Sequence, residues 1–239
     1  MKGIILAGGT GSRLGPLTKV VSKQLLPIYK YPMIYFPINT LVSMGIKEIL
    51  IISTPQQILG FQELVKGLTC ANFSFAIQEK PEGLAQAFII AKEWLNGSDA
   101  TLVLGDNIII NNKPLKCCPN TIFSYKVKKP ERYGVVVRDG EKVTSLVEKP
   151  KDFISDEAVI GLYVLENIAC DLAKELKPSG RGELEIVDLI LKINSLKQNV
   201  VVQELDGFWF DAGNPDDLLD CCNFVKAIED RTQKSFNLT

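Results

Sequence analysis

The sequence predicts an α/β fold, a doubly wound mixed sheet with a smaller, partly antiparallel subregion, and three observations carry that expectation. Short apolar runs alternate with amphipathic segments up to about residue 104, the rhythm of βαβ units that build parallel sheets. From residue 121 the apolar runs follow one another with few residues between, as antiparallel hairpins do. The 239 residues, 46% hydrophobic and 23% charged, have an ordinary globular composition and can bury a large core. A single domain over 1–239 is expected, with one half at about 1–112 and another at about 113–239.

Gly3-Ile4-Ile5-Leu6-Ala7 reads as a buried strand because it is apolar, β-rich and too short for a helix, and Gly8-Gly9-Thr10-Gly11 stops it. A helix over 32–44 follows, closed by Gly45, with a kink expected at Pro37. Lys47 to Ser53 is a second buried strand. Then come a helix at 58–66, a strand at 73–77, a helix at 83–95 with Leu84, Phe88 and Ala91 on one face, and a strand at 101–104. Strands are expected at 121–127, 134–138 and 142–148, the last two joined by an Asp139-Gly140 turn, and another at 159–165. A helix at about 167–176 and one after the Gly180-Arg181-Gly182 break precede strands at 200–205 and 208–210. Asn214-Pro215 then starts a final helix, a capping residue followed by proline at the first helical position. Leu218, Leu219, Cys222, Val225 and Ile228 form its expected apolar face.

The glycine loop is suited to phosphate. Glycines let several main-chain N–H groups converge on one anion, and Arg13 and Lys23 add positive charge. A dinucleotide fingerprint starting at Gly9 and Gly11 would need glycine where Leu14 stands, and no Gly-Lys pair is followed by Ser or Thr as a Walker loop requires. Ligands of doubly wound sheets sit beyond the carboxyl ends of the strands, where this loop and Asp106 both fall.

Composition narrows the chemistry. A net charge of −1 provides no overall basic field for nucleic acid or a membrane surface. The first apolar run is too short for a signal peptide, and no stretch has the apolar length of a membrane span, so a cytoplasmic protein is expected. Six cysteines without C-x-x-C spacing read as free thiols. Three glycosylation-type triplets, at Asn72, Asn96 and Asn237, therefore read as chance matches. With no histidine in the chain, Ser-His and Cys-His nucleophile pairs are excluded, and carboxylates are the natural ligands for a hard cation such as Mg²⁺.

The string G-G-T-G-S-R-L-x-P-L-T from Gly8, followed by S-K-Q-L-L-P from Ser22, resembles the signature of the sugar nucleotidyltransferases. The resemblance extends over nearly the whole chain to the glucose-1-phosphate thymidylyltransferase family, through Gln78 to Ala87, Leu104-Gly105-Asp106-Asn107, Glu148-Lys149-Pro150, Arg181 to Glu185 and Trp209 to Gly213. It implies a nucleotidyltransferase-type fold and Mg²⁺-dependent attack of a sugar 1-phosphate on dTTP, giving dTDP-glucose for deoxysugar (rhamnose-type) biosynthesis. Arg13, Lys23, Asp106, Lys149 and Asp211 would be catalytic, with Asp106 and Asp211 as metal ligands. Leu6, Gly8, Gly9, Thr10, Gly11, Gln24, Gln78 and Gly83 would bind the nucleotide, the two glutamines reading the pyrimidine edge and Gly83 letting the base lie against the backbone. Tyr133, Gly134, Glu148, Lys149, Val159 and Gly161 would form the sugar side, with Trp209 either packed near the sugar or in the core.

Ile108 to Pro119 is compressed relative to the family, Gly15 stands where a bulky residue is common, and the chain stops soon after the Asn214 helix. By that resemblance, the later helices that help build a regulatory nucleotide site and part of the subunit packing are expected to be missing. A homodimer or homotetramer formed through another surface is expected. Two other functions compete: a UTP-dependent uridylyltransferase, since thymine and uracil differ by one methyl worth only about 1–3 kcal/mol of discrimination, and a non-catalytic regulatory subunit of the same fold.

Overall fold

A computed structural model describes residues 1–196 and 199–232; the Asn237 triplet lies outside the described residues. The strands and helices, in chain order, are β1 (Lys2–Leu6), β2 (Pro27–Ile28), β3 (Tyr31–Pro32), α1 (Tyr35–Ser43), β4 (Glu48–Ser53), α2 (Ile58–Val65), β5 (Asn72–Ile77), α3 (Gln86–Leu95), β6 (Ala100–Leu104) and β7 (Asn107–Asn111). They continue with β8 (Thr121–Lys126), β9 (Gly134–Asp139), β10 (Lys142–Glu148), β11 (Glu157–Leu165), α4 (Ala169–Lys174), α5 (Ile186–Ser195), β12 (Val201–Glu204), β13 (Gly207–Asp211) and α6 (Pro215–Thr232). The chain forms two compact units, and neither is a continuous half of the sequence. One, here the loop unit, comprises the described residues of Gly3–Pro81, Val103–Ile110 and Phe208–Thr239; the other, the hairpin unit, comprises those of Met1–Lys2, Glu82–Leu102 and Asn111–Gly207.

In the loop unit, β1, β4 and β5 are parallel, with Ile4 opposite Leu50 and Ile51 opposite Phe75. Ile4, Ile5, Ile49 and Ile51 are fully buried, as expected of strands covered on both faces. Pro37 does not kink α1. It falls in the first turn, where the N–H it lacks would have had no partner within the helix. Helix α6 packs Cys221 and Val225 against Ile28, Met33, Phe36, Ile108 and Ala212. Its buried face differs from the expected one: Cys221 and Glu229 are buried while Leu219 is exposed. Burial of Glu229 is offset by bonds from Lys30 Nζ at 2.7 Å and from the Tyr31 hydroxyl. Strand β7, which the sequence did not announce, pairs with β13.

The hairpin unit holds a mixed ladder in the order β11, β8, β12, β10, β9. Only β8 and β12 run parallel. Ala158 of β11 also pairs with Val135 of β9, so the ladder returns on itself. The β9–β10 turn is Gly140-Glu141, one residue later than expected, with Gly140 at φ +58°. Helix α3 begins at Gln86 because residues 82–85 are engaged elsewhere: Leu184 N–H donates to Glu82 O at 2.7 Å, and Ala85 N–H to Leu184 O at 3.1 Å.

None of the six cysteines is joined in a disulfide. Among the described residues no helix is long and apolar enough to cross a membrane.

Two local features lend themselves to stability measurements. Asn214 Oδ1 accepts the Asp217 N–H at 3.0 Å while Asn214 Nδ2 donates to the Asp217 carboxylate, closing the start of α6. Asn214→Ala should therefore cost about 1 kcal/mol in urea unfolding. Gly15 adopts φ 58°, ψ −130° inside the short helical segment after the glycine loop. A Cβ there would meet nothing within 4 Å, so Gly15→Ala should lose about 1–3 kcal/mol in the same assay through backbone strain alone.

Candidate functional site

The glycine loop leaves the loop unit's sheet at the carboxyl end of β1. Ala7 N–H still donates to Ile52 O at 2.8 Å, and the Ser53 hydroxyl donates to Ala7 O at 3.0 Å, so the strand is held to its last residue. Leu6 and Gly8 are buried, while Gly9 and Thr10 are exposed. An added Cβ at position 8 would lie 1.9 Å from Gln78 Oε1, so any side chain there would have to displace the buried Gln78 amide. Beyond Gly11, whose carbonyl accepts the Leu14 N–H and the Thr18 hydroxyl, each at 2.9 Å, Leu14 is buried and anchors the segment. Arg13, on the same segment, is exposed.

Lys23 returns the chain beside this loop. Its ammonium is ion-paired with the Asp106 carboxylate, and both side chains are only 12% exposed. Burial pushes the Asp106 carboxyl upward, but the Lys23 charge and hydrogen bond, together with bonds from the backbone and Asn107, outweigh it and hold the group below its ordinary range. Asp106 lies in the turn between β6 and β7, with Gly105 N–H bonded to Leu6 O at 3.0 Å.

Ala212 N–H donates to Asp106 O at 3.1 Å, which fixes the end of β13, and with it Asp211, beside Asp106. A Cβ on Gly213 would lie 2.6 Å from an Arg13 nitrogen and 3.0 Å from Asp211 Oδ1. Arg13, Asp211 and Gly213 are therefore neighbours. Two carboxylates on adjacent strand ends are a donor set that suits Mg²⁺, which takes few protein ligands and fills its remaining positions with phosphate oxygens and water.

Gln24 and Gln78 are both buried. Ser22 Oγ donates to Gln24 Oε1 at 2.5 Å, and the Gln24 side chain packs against Gly105. Both amides thus border the end of β1. Trp209 is core, as one of its two expected placements had it, and its indole donates to Asn107 Oδ1 at 2.6 Å.

In the hairpin unit, the sugar-side candidates gather around the β9–β10 pair. Glu148 stands opposite Gly134, and a Cβ on Gly134 would come within 3.1 Å of Glu148 Oε2. Lys149 follows immediately at φ +45°, its N–H donating to Tyr133 O at 2.9 Å, its ammonium 3.7 Å from Glu148 Oε1 and half-exposed. Burial pushes the Glu148 carboxyl above its ordinary range, against the opposing pull of Lys149 and Arg181. Val159 and Gly161 lie buried in β11, whose pairing with β8 is irregular between Val159 and Tyr163. Gly83 takes φ +108°, and the side its Cβ would occupy is filled by the Leu184 main chain at 2.5 Å. Backbone conformation and packing both call for glycine there.

Arg181 received no role from the sequence. Its guanidinium reaches Glu148 Oε1 at 3.1 Å and both Glu185 oxygens at 2.9 and 2.8 Å. The spacing of Arg181 and Glu185, four residues apart beside the Glu183 carboxylate, was the available signal; the contact with Glu148, 33 residues earlier, was not.

The chain is similar to known proteins over nearly its whole length. The Nucleotidyl transferase family model matches residues 2–228. The glucose-1-phosphate thymidylyltransferase of Neisseria gonorrhoeae is 43% identical over 244 aligned residues, covering 96% of this chain and 84% of that protein. A Bacillus anthracis structure described as a glucose-1-phosphate thymidylyltransferase in complex with a sucrose superposes with a TM-score of 0.83 at 35% identity, covering 94% of each chain. A UDP-glucose pyrophosphorylase solved with UDP-glucose shares the fold, with a TM-score of 0.83 at 22% identity over 95% of this chain and 98% of that one. With a match to the family model over nearly its full length and relatives 43% identical over 96% of it, this chain belongs to the nucleotidyl transferase family.

Proposed function

We propose that the protein transfers the thymidylyl group of dTTP to glucose 1-phosphate, releasing pyrophosphate, with Mg²⁺ as cofactor. The observation that carries this reading is the set of two cations and two carboxylates beside the glycine loop: Lys23 on Asp106, and Arg13 beside Asp211. The names of the relatives at 43% identity support the choice of substrates. The nucleotide-side residues fall in the loop unit apart from Gly83, and the sugar-side residues all fall in the hairpin unit.

In the reaction a phosphate oxygen of the sugar 1-phosphate attacks the α-phosphorus, and the bond to the β-phosphate bridge breaks with its electron pair leaving on pyrophosphate. Such reactions are accelerated mainly by positioning and by neutralising phosphate charge. Main-chain N–H groups of Gly8 to Gly11 cradle the triphosphate, and Arg13 and Lys23 neutralise charge on the transferring and departing phosphates. Asp106 and Asp211 would hold Mg²⁺, which supplies further charge neutralisation when bound. Lys149 holds the sugar phosphate, and Glu148 accepts hydrogen bonds from sugar hydroxyls. Leu6, Gln24, Gln78 and Gly83 line the nucleotide side; Tyr133, Gly134, Val159 and Gly161 line the sugar side. A cytoplasmic homo-oligomer, dimer or tetramer, supplying deoxysugar synthesis of the rhamnose type completes the proposal.

The direct test is pyrophosphate release with glucose 1-phosphate and Mg²⁺, comparing dTTP, UTP, CTP, ATP and GTP. Preference for dTTP supports the proposal, preference for UTP replaces it with uridylyl transfer, and silence with all five over several sugar phosphates points to a non-catalytic subunit. Asp211→Asn should lower kcat by about 10²–10³-fold, the cost typical of losing one charge-stabilising group, with an unchanged thermal midpoint; near-normal turnover at saturating Mg²⁺ removes Asp211 from the metal site. Lys149→Ala should raise the KM for glucose 1-phosphate about tenfold, as expected for one charge-assisted bond, and leave that for dTTP within about twofold. Equal effects on both substrates would sink the assignment.

A further inference from the structure

Asp106 is bonded on both carboxylate oxygens by groups of its own chain. Lys23 Nζ bonds Oδ2, and Asn107 Nδ2 donates to Oδ1 at 3.3 Å. The second bond depends on which way the Asn107 amide faces. An amide offers an acceptor at one end and two donors at the other. Asn107 is 3% exposed and Trp209 is 8% exposed, so solvent cannot readily replace a lost partner. An indole N–H is a donor only, and that of Trp209 meets Asn107 Oδ1 at 2.6 Å. The indole thereby commits the amide oxygen to itself and the NH₂ group to Asp106. If the amide were turned over, its oxygen would face the Asp106 carboxylate, and its NH₂ would face the indole N–H, two donors with no acceptor between them.

The backbone sets this arrangement up. Asn107 begins β7 directly after Asp106, Trp209 lies in β13, and the two strands pair. The Ala212 N–H bond to Asp106 O fixes their register beside the carboxylate. We infer that Trp209 and Asn107 are positioning residues for the metal-binding carboxylate: the indole N–H sets the Asn107 amide, and the amide sets the orientation of Asp106. This rests on the assignment of Asp106 as a metal ligand. Hydrogen-bonded partners behind a metal ligand commonly contribute about 10–100-fold in metal affinity.

The test measures Mn²⁺ affinity of the nucleotide-free protein by water-proton relaxation, with thermal unfolding as a control on folding. Trp209→Phe keeps the aromatic body and removes the N–H; Asn107→Ser removes the amide. Each should weaken Mn²⁺ binding about tenfold. The double variant should be no weaker than Asn107→Ser alone, because the indole acts only through the amide. Loss of indole packing by itself would add to the Asn107→Ser effect instead of being absorbed by it. Asp106→Asn separates the two levels of the argument. If it binds Mn²⁺ as the wild type does, the metal-site assignment fails. If it abolishes binding while both single variants retain wild-type affinity, or if the two effects add, the positioning role is overturned. Either single variant gives the answer if the other does not fold.

Discussion

A nearly buried ion pair, Lys23 with Asp106, is the interaction on which the loop unit's site depends. Its partners are 83 residues apart and each is only 12% exposed. Removing either would leave a charge in a poorly solvated place, a cost well above that of an exposed pair. The pair also does geometric work. It ties the short helical segment Lys23–Leu25 to the turn after β6, and so brings the basic residues that follow the glycine loop to the carboxylates at the strand ends. Asp106 remains ionised because cationic and hydrogen-bonding partners outweigh the burial that would protonate it.

Around this pair, side chains crowd three glycines closely. Gly8 faces Gln78, Gly105 faces Gln24, and Gly213 faces Arg13 and Asp211. Apart from Asp211, two residues before Gly213, each partner is distant in sequence from its glycine, so these contacts join separate segments of the loop unit. The hairpin unit reaches its own arrangement differently. There Glu148, Arg181 and Glu185 form a charged network, and burial raises the Glu148 carboxyl despite two adjacent cations.

Much of this was legible in the sequence where local chemistry decides local structure. The run Gly3 to Ala7 and its glycine stop, the Asn214-Pro215 helix start and the change of rhythm at residue 121 all appear at or near their expected positions. The misreadings have a common physical origin. Pro37 looks like a helix breaker until the helix start is known to lie two residues before it. Strand β7 was missed because Asn107 to Asn111 is defined by its partner β13, and pairing between segments about a hundred residues apart has no local signature. The packing of Gly83 against the Leu184 main chain was likewise invisible, because that neighbour is supplied only by folding.

By itself the sequence determined which groups are available: a phosphate-suited loop, cations at 13, 23 and 149, carboxylates at 106 and 211, and no imidazole. Residue identity and short-range spacing encode that inventory directly. Tertiary structure alone decided the pairings within each unit: Lys23 with Asp106, Arg13 beside Asp211, Trp209 on Asn107, and Arg181 on Glu148. Those contacts join strand ends and loops that are remote along the chain. Their geometry is set by sheet pairing and burial, which depend on the whole unit and not on any one segment.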